Sequence, residues 1–292
     1  MLSPANDSYL HHPTLHGDVV GFLAHDDVWL APLAGGRAWQ LTADAAPTKD
    51  LRFSPDGTHL AHLSQRDGAP ELHVVSADGG DSVRTTWWGD TGARVLGWAD
   101  DEHVHVATAW REAFRNKTWA RSVPLDGGPS VRLPHGPVTA LDVTDGGATV
   151  LGTGFGGRRR DPAMWKRYRG GTAGRLWVDA AGGGEFVRLL PGLTAQLTAP
   201  MWVDGRVALL SDHEGVGNVY SVRPDGSDLR RHTDHADFYA RHATTDGTRV
   251  VYAVAGELWV LDDLAPDSTP RRLEIRTGGP RSARRAAPVP AG

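Results

Sequence analysis

The sequence contains no cysteine, and this absence excludes disulfides and thiolate metal centres. The absence of cysteine also fits a protein of a reducing compartment. The chain also lacks the run of about 18–20 apolar residues that crosses a membrane. Its longest apolar stretches, such as Val19–Ala24 and Val250–Ala255, are only strand-length. Because residues 1–17 show neither the basic nor the apolar region of a signal peptide, we expect a cytoplasmic protein without membrane contacts.

A basic excess is missing as well. The formal net charge is −4 over 292 residues, whereas general nucleic-acid binders usually carry a positive excess. The sequence has no phosphate-binding G-x-x-x-x-G-K-[ST] loop and no G-x-S-x-G nucleophile elbow. We therefore expect no nucleic-acid partner, no cofactor and no catalytic residue within this chain.

What the sequence does contain is a hairpin that recurs six times. Alternating apolar residues lead into a reversal that is rich in Gly and Asp in most copies, and a second short strand follows. Such reversals supply the positive dihedrals of tight hairpins, and the alternation buries one face of a strand. The copies cover residues 28–42, 72–85, 120–133, 176–189, 219–233 and 258–273. Four of them share an aromatic position: Trp29, Trp177, Tyr220 and Trp259.

A second repeated unit precedes each hairpin and consists of a short strand, a turn that is usually Asp-Gly, and an alternating apolar strand. The turn glycines Gly17 and Gly57 lie 40 residues apart, and the interval from Gly146 to Gly205 is 59. A period of about 40–45 residues with four short strands is typical of a β-propeller blade. We therefore predict an all-β, six-bladed propeller with four antiparallel strands per blade and an insertion in the fourth.

The strand order also predicts how the ring closes. The chain begins with an innermost strand at Tyr9 and ends with an outermost one near Arg271–Ile275. No strand is left over to complete a shared blade, so we predict closure without strand exchange, by side-chain packing alone. Residues 1–275 form the predicted propeller. Residues 276–292, rich in Pro, Ala and Arg, read as a linker that leads to further domains.

Three stretches carry a family resemblance. They begin at Tyr9 (YLHHPTLHGDVVGFLAHDDVWLAPLAGGRAWQLT), Trp165 (WKRYRGGTAGRLWV) and Ser211 (SDHEGVGNVYSVRPDG). Together with SPDGTHLAHLS at Ser54, they resemble the tricorn protease family and its TolB-like repeats. The likeness spans nearly the whole chain.

The resemblance implies a function for the longer protein. Tricorn-type enzymes carry a six-bladed propeller, a seven-bladed propeller and a serine-peptidase part, assemble into homo-hexamers, and degrade oligopeptides downstream of larger proteases. This chain would be the first propeller, which guides or holds peptides but is not catalytic by itself. Its partners would be oligopeptides and the other domains and subunits of the hexamer. The alternatives are a free-standing TolB-like interaction scaffold and the propeller cap of a prolyl-oligopeptidase-like hydrolase.

Candidate binding residues lie in two loops between the second and third strands of a blade. The family holds the substrate carboxylate with a basic pair, and the nearest match is Phe114-Arg115-Asn116, where the second position is Asn. A basic face steers carboxylates, and Arg grips them with two parallel hydrogen bonds. Packing against a neighbouring domain is the competing interpretation. The tentative substrate-binding residues are Arg111, Arg115, Arg158, Arg159, Arg160, Lys166 and Arg167.

Two further groups of residues are candidate sites. Histidines cluster at His11, His12 and His16 and again at His232, His235 and His242. Adjacent strand residues point to opposite faces, so His11 and His12 cannot easily share one zinc ion. We therefore predict structural histidines and no metal site. The acidic motif at Asp212 is interpreted as loop structure rather than as a site for a peptide N-terminus.

Overall fold

The computed structural model describes residues 8–154 and 166–278. Within these ranges the chain forms 25 strands and no helix, so none of the described residues belongs to a helix that could cross a membrane. Six consecutive groups of four antiparallel strands form six sheets, here called blades 1 to 6, with strands a to d. The predicted six-bladed architecture is confirmed.

The strands follow the chain in order. Blades 1 to 3 contain β1 (His11–His16), β2 (Val19–Ala24), β3 (Asp27–Pro32), β4 (Gly36–Gln40), β5 (Thr48–Phe53), β6 (His59–Ser64), β7 (Glu71–Ser76), β8 (Val83–Arg84), β9 (Arg94–Asp100), β10 (His103–Thr108), β11 (Trp119–Pro124) and β12 (Val131–Arg132). Blades 4 to 6 contain β13 (Ala140–Val143), β14 (Thr149–Thr153), β15 (Arg175–Asp179), β16 (Val187–Leu189), β17 (Leu197–Val203), β18 (Arg206–Ser211), β19 (Asn218–Val222), β20 (Arg230–Arg231), β21 (Arg241–Thr245), β22 (Val250–Val254), β23 (Glu257–Leu261) and β24 (Arg271–Arg272). A last strand, β25 (Ile275–Thr277), follows blade 6.

The tight turns between strands a and b use the glycines that the repeat predicts. Gly57 adopts a positive φ of 75°, which glycine reaches without the strain that a side chain adds. A Cβ at this position would lie 2.1 Å from the ring of His16, so space excludes a side chain as well. Glycine is therefore required at position 57 for two reasons: its left-handed backbone conformation and its close contact with His16.

The hydrophobic core of the described residues is divided into six clusters, each between neighbouring blades. Alternating residues of strands a, b and c face the adjacent blade on both sides, which is why these strands are almost continuously buried. The shared aromatics belong to this packing. Tyr220 is 1% exposed and lies between blades 4 and 5, and Trp29 contributes to the cluster that joins blade 1 to blade 6.

Ring closure differs from the prediction. Side chains of blades 1 and 6 do pack together, but β25 also pairs in parallel with β4, so blade 1 has five strands. Ile275 is buried in the closing cluster, and the hydroxyls of Ser8 and Thr277 lie 2.5 Å apart. The prediction that side-chain packing alone closes the ring is therefore wrong. The strand also extends two residues beyond the predicted propeller boundary.

Four innermost strands share a β-bulge that the alternation rule does not anticipate. The pairing of strand a with strand b shifts in blades 1, 2, 3, 5 and 6, and in blades 1, 2, 5 and 6 it does so at a left-handed residue. The bulge residue has a positive φ in each of these four blades: 48° at His12, 57° at Asp50, 48° at Ala199 and 53° at His242. A bulge interrupts alternation and redirects a side chain. All four residues line the cavity on the propeller axis, here called the bore.

Candidate functional site

Antiparallel strand order places all b–c loops and all connections between blades at the same end of the ring. This end is here called the b–c face. It holds the described candidates Arg111, Arg115, Lys166 and Arg167, each on an exposed part of a b–c loop. Arg158, Arg159 and Arg160 lie outside the described residues.

Arg111 and Arg115 line one open cavity of about 640 Å³ between the connection from blade 2 to blade 3 and the b–c loop of blade 3, and Asp90 and Glu112 line it as well. The loop that carries them runs from β10 to β11 and is short and polar. Among the described residues, neither guanidinium has a carboxylate within the 4.0 Å of an ion pair. The carboxylate nearest in sequence, Glu112, instead accepts a 2.8 Å hydrogen bond from Nε of Arg132. Two unpaired guanidiniums in a cavity are suited to bind an anion.

Aromatic rings form the wall of this cavity, and the sequence reading missed them. Trp88 and Trp110 stack with ring centroids 5.5 Å apart and an interplanar angle of 19°. The guanidiniums of Arg111 and Arg121 lie 4.3 Å and 4.9 Å from the Trp110 ring. The tryptophans hold these arginines by cation–π contact, a preference that Arg shows for Trp. The dipeptides Trp87-Trp88 and Trp110-Arg111 were the features of the sequence that could have indicated this aromatic wall.

Lys166 and Arg167 lie apart from this cavity, towards blades 5 and 6. The Lys166 ammonium is 5.3 Å from the ring of Tyr239, and Nε of Arg167 donates a 3.4 Å hydrogen bond to the carbonyl of Gly215. Both are therefore engaged with the protein, in contrast to Arg115. The structure divides the predicted basic set into two groups. In the first, Arg111 stacks on Trp110, and the Arg115 side chain forms no hydrogen bond, ion pair or cation–π contact with the described residues.

Asp212 fixes the described end of the fourth-blade insertion. Its buried carboxylate accepts hydrogen bonds from the backbone N–H of Arg167 at 2.7 Å, from Nη1 of Arg169 at 2.8 Å and from the backbone N–H of Gln196 at 3.0 Å. Nη2 of Arg169 also donates to the Asp212 carbonyl at 2.9 Å. These contacts agree with the interpretation of the acidic motif as loop structure.

Large exposed aromatics concentrate on the same end of the ring. Four of the five in the described residues lie in a b–c loop, in a connection between blades or just before β1: Phe114 at 69% exposure, Trp87 at 68%, Phe238 at 56% and Tyr9 at 61%. The fifth, Trp39, lies on β4 at the rim. Exposed aromatics next to arginine are typical of contact surfaces.

The histidines at the bore lie closer together than the alternation of strand residues predicts. Because the bulge at His12 interrupts the alternation, the rings of His11 and His12 approach to 5.1 Å, and His12 stacks on His242 at 3.8 Å. The premise that adjacent strand residues point apart is wrong here. Burial, with a smaller contribution from His242, lowers the pKa of His11 to about 4. Within the described residues, no group of three or more His, Asp or Glu side chains is placed to hold a metal ion.

Fold and site define a class: a six-bladed β-propeller of consecutive four-stranded blades with exposed arginines and aromatics at one end. Comparison with known proteins makes this specific. Residues 7–267 match the family described as the tricorn protease N-terminal beta propeller domain, and the chain belongs to that family. The predicted resemblance is confirmed.

Relatives show how much of a longer protein this chain corresponds to. Tricorn protease homolog 1 of Streptomyces coelicolor is 54% identical over 98% of this chain and 26% of its own length. Putative tricorn protease homolog 2 of the same organism is 52% identical over 97% of the chain and 24% of its length. A crystal structure of the tricorn protease superposes with a TM-score of 0.83 at 27% identity, over 94% of this chain and 27% of that one. The chain thus spans about a quarter of the length of these relatives.

Proposed function

We propose that this propeller binds the C-terminal carboxylate of oligopeptides at Arg111 and Arg115 and presents them to a serine-peptidase part of a longer tricorn-like protein. The observation that supports this is the shared cavity of the two arginines, in which neither guanidinium forms an ion pair with a described residue, while the lining carboxylates of Asp90 and Glu112 accept hydrogen bonds from other groups. The chain itself is not catalytic in this proposal. Family membership supports the link to proteolysis.

The exposed aromatics support a second part of the proposal. Trp87 and Phe114 are each more than two-thirds exposed beside the arginine cavity. A surface of this composition is suited to be covered by another domain, and the relatives are about four times as long as this chain. The b–c face would therefore contact the remaining domains and neighbouring subunits of a hexamer while the cavity stays open to peptide.

Peptide binding to the 292-residue chain tests the proposal. Fluorescence anisotropy would compare one labelled hexapeptide with a free and with an amidated C-terminus. We expect the free form to bind about tenfold tighter or more, since a charge-assisted pair is lost on amidation. Arg115→Ala should remove the difference. Arg223→Ala, an exposed arginine in a c–d turn at the opposite end, should preserve it. Equal binding of both peptide forms would refute the carboxylate site.

Kinetics in an intact homologous enzyme extend the test. There, Arg115→Ala should lower kcat/KM for peptides with a free C-terminus and leave the melting temperature nearly unchanged, because the side chain is exposed. Unchanged kinetics would remove Arg115 from the site.

A further inference from the structure

The bore of the ring is a separate cavity that the b–c face does not use. It has a volume of about 320 Å³ and is lined by all six innermost strands. Side chains of blades 1 to 4 and 6 give it a polar arc that includes His12, Arg52 and Asp142. The wall from blade 5 is mostly apolar and contains Ala199, Pro200 and Met201. In a ring of six, blade 5 stands opposite blade 2, so the apolar wall faces Arg52.

Arg52 is a cation inside this cavity without an ion-pair partner. Nη1 donates a 2.8 Å hydrogen bond to the carbonyl of Leu51, but no carboxylate of the described residues lies within 4.0 Å of the guanidinium. Burial lowers the pKa of Arg52, Asp50 and Asp142 oppose that shift, and the neighbouring Arg94 adds to it. Since Arg52 is half-buried and has no ion pair within 4.0 Å in the described residues, an anion that binds beside its guanidinium would stabilise its charge.

Asp142 gives the same cavity a negative group. Its Oδ2 accepts a 2.6 Å hydrogen bond from the backbone N–H of Trp202, which fixes the carboxylate on blade 4. Burial raises the pKa of Asp142 to about 6, although backbone N–H groups and Arg52 favour its charged form. The carboxylate is therefore incompletely compensated by the protein, and a ligand ammonium would complete its environment.

The bulges show that this lining depends on a specific backbone. His12, Asp50, Ala199 and His242 all reach the bore through a left-handed residue. Of the four, none is glycine, and β-branched or other L residues adopt this conformation at a cost of about 1 kcal/mol or more. An ordinary flat strand would place other side chains at the axis. The lining is thus an arrangement that the fold maintains against local strain.

We propose that the bore binds a small zwitterion, an α-amino acid or dipeptide, with its carboxylate on Arg52, its ammonium towards Asp142 and its side chain on the apolar wall of blade 5. The cavity lies at the lower end of the range of about 300–1,000 Å³ for small-molecule sites, which limits the ligand to this size. The two charges of the ligand match the cation of Arg52, which has no ion pair within 4.0 Å in the described residues, and the carboxylate of Asp142, which the protein compensates only in part. This site is distinct from the arginine cavity and does not depend on the function proposed for it.

Isothermal titration of the 292-residue chain with Ala-Leu at neutral pH tests the site. The dipeptide with free ends should bind, and its N-acetylated and C-amidated forms should bind about tenfold more weakly or worse, because each loses one charged contact. Arg52→Gln should weaken binding of the free dipeptide by a similar factor. Asp142→Asn should weaken the free dipeptide but not the N-acetylated one. Arg223→Gln serves as the matched control.

The outcomes separate this site from the b–c face. Absence of binding at millimolar dipeptide, or equal binding of the capped and free forms, overturns the proposal. So does a loss of dipeptide binding in Arg115→Ala with retention in Arg52→Gln, since this places the dipeptide on the b–c face. If Arg52→Gln fails to fold by circular dichroism, the capped dipeptides on the unaltered chain still decide the question.

Discussion

The hydroxyl of Thr86 donates a 2.6 Å hydrogen bond to the buried carboxylate of Glu71. It also accepts one of 2.9 Å from the backbone N–H of Leu72, so one side chain ties the connection after strand d to the start of strand c. The same arrangement joins Thr42 to Asp27 in blade 1 and Thr233 to Asn218 in blade 5. The threonine at or just after the end of the repeated hairpin therefore has a structural role in three blades.

Replacing Thr86 tests this role. Thr86→Val keeps the shape but leaves the carboxylate of Glu71 and the N–H of Leu72 each without one partner, so we expect a loss of about 1–3 kcal/mol in the free energy of unfolding. Urea denaturation measures it. Thr248→Val, at an exposed turn, should change stability by less than about 0.5 kcal/mol. Equal effects of the two substitutions would contradict the assignment.

The closing strand gives a second prediction. Ile275 is 3% exposed and packs in the cluster between blades 1 and 6. Ile275→Ala should lower the free energy of unfolding by about 2–5 kcal/mol, because it leaves a cavity beside β25. Leu229→Ala, at a residue that is 38% exposed, is the control. A loss no greater than that of the control would mean that β25 contributes little to closure.

The hydrogen bonds of Arg169 to Asp212 give a third prediction, which concerns how the fourth-blade loop is held. Arg169→Ala removes one hydrogen bond to the buried carboxylate of Asp212 and one to its backbone carbonyl, and we expect a loss of about 1–3 kcal/mol in the free energy of unfolding. Arg167→Ala leaves its backbone N–H on Asp212 and should cost less. Denaturation of both variants measures the difference. The reverse order would show that the Arg169 contact is not what fixes the loop.

Acid stability should depend on His62. This buried side chain contacts Thr48 and Ser82, and burial, followed by the charges of His73 and Arg66, lowers its pKa to about 3. The unfolded chain binds a proton near pH 6.5 and the folded one does not, so His62 stabilises the fold above pH 6.5. This contribution is lost as pH falls from 6.5 towards about 3.

His62→Gln should therefore reduce the pH slope of stability in that window, by at most about 1.4 kcal/mol per pH unit. Urea titrations at pH 4.5 to 7 measure the slope. Thr248→Val, which removes no titratable group, should leave it as it is. An unchanged slope in His62→Gln would show that His62 is not the proton-linked group.

The sequence predicted the blades because their signals are local. An alternating strand, an Asp-Gly turn such as the one at Gly57, and a second strand all lie within a few residues, and the period repeats them. The bulges at His12 and His242 were not predicted, because a histidine in the left-handed conformation leaves no signal in the sequence, unlike a glycine in a turn. The pairing of β25 with β4 was missed since it joins residues more than 230 positions apart through a segment of three residues.

The candidate site was predicted in part. The b–c loops were placed on one face correctly, and Arg115 was named from the motif around it. The sequence did not predict that Arg169 pairs with Asp212 whereas Arg115 forms no ion pair with a described residue. Which charged side chains pair depends on which loops lie close together in the folded chain. For the same reason the sequence did not indicate Arg52 and Asp142, which lie on different blades and meet only at the axis.

The parallel fifth strand has a mechanical consequence. β25 lies along β4 with Ile275 opposite Gly36 and Thr277 opposite Ala38, and the chain continues from its end. Tension on the following chain would load these hydrogen bonds together, in shear, instead of opening them one at a time. A pulling force on the chain after β25 would therefore act on the interface between blades 1 and 6 before it acted on the rest of the propeller.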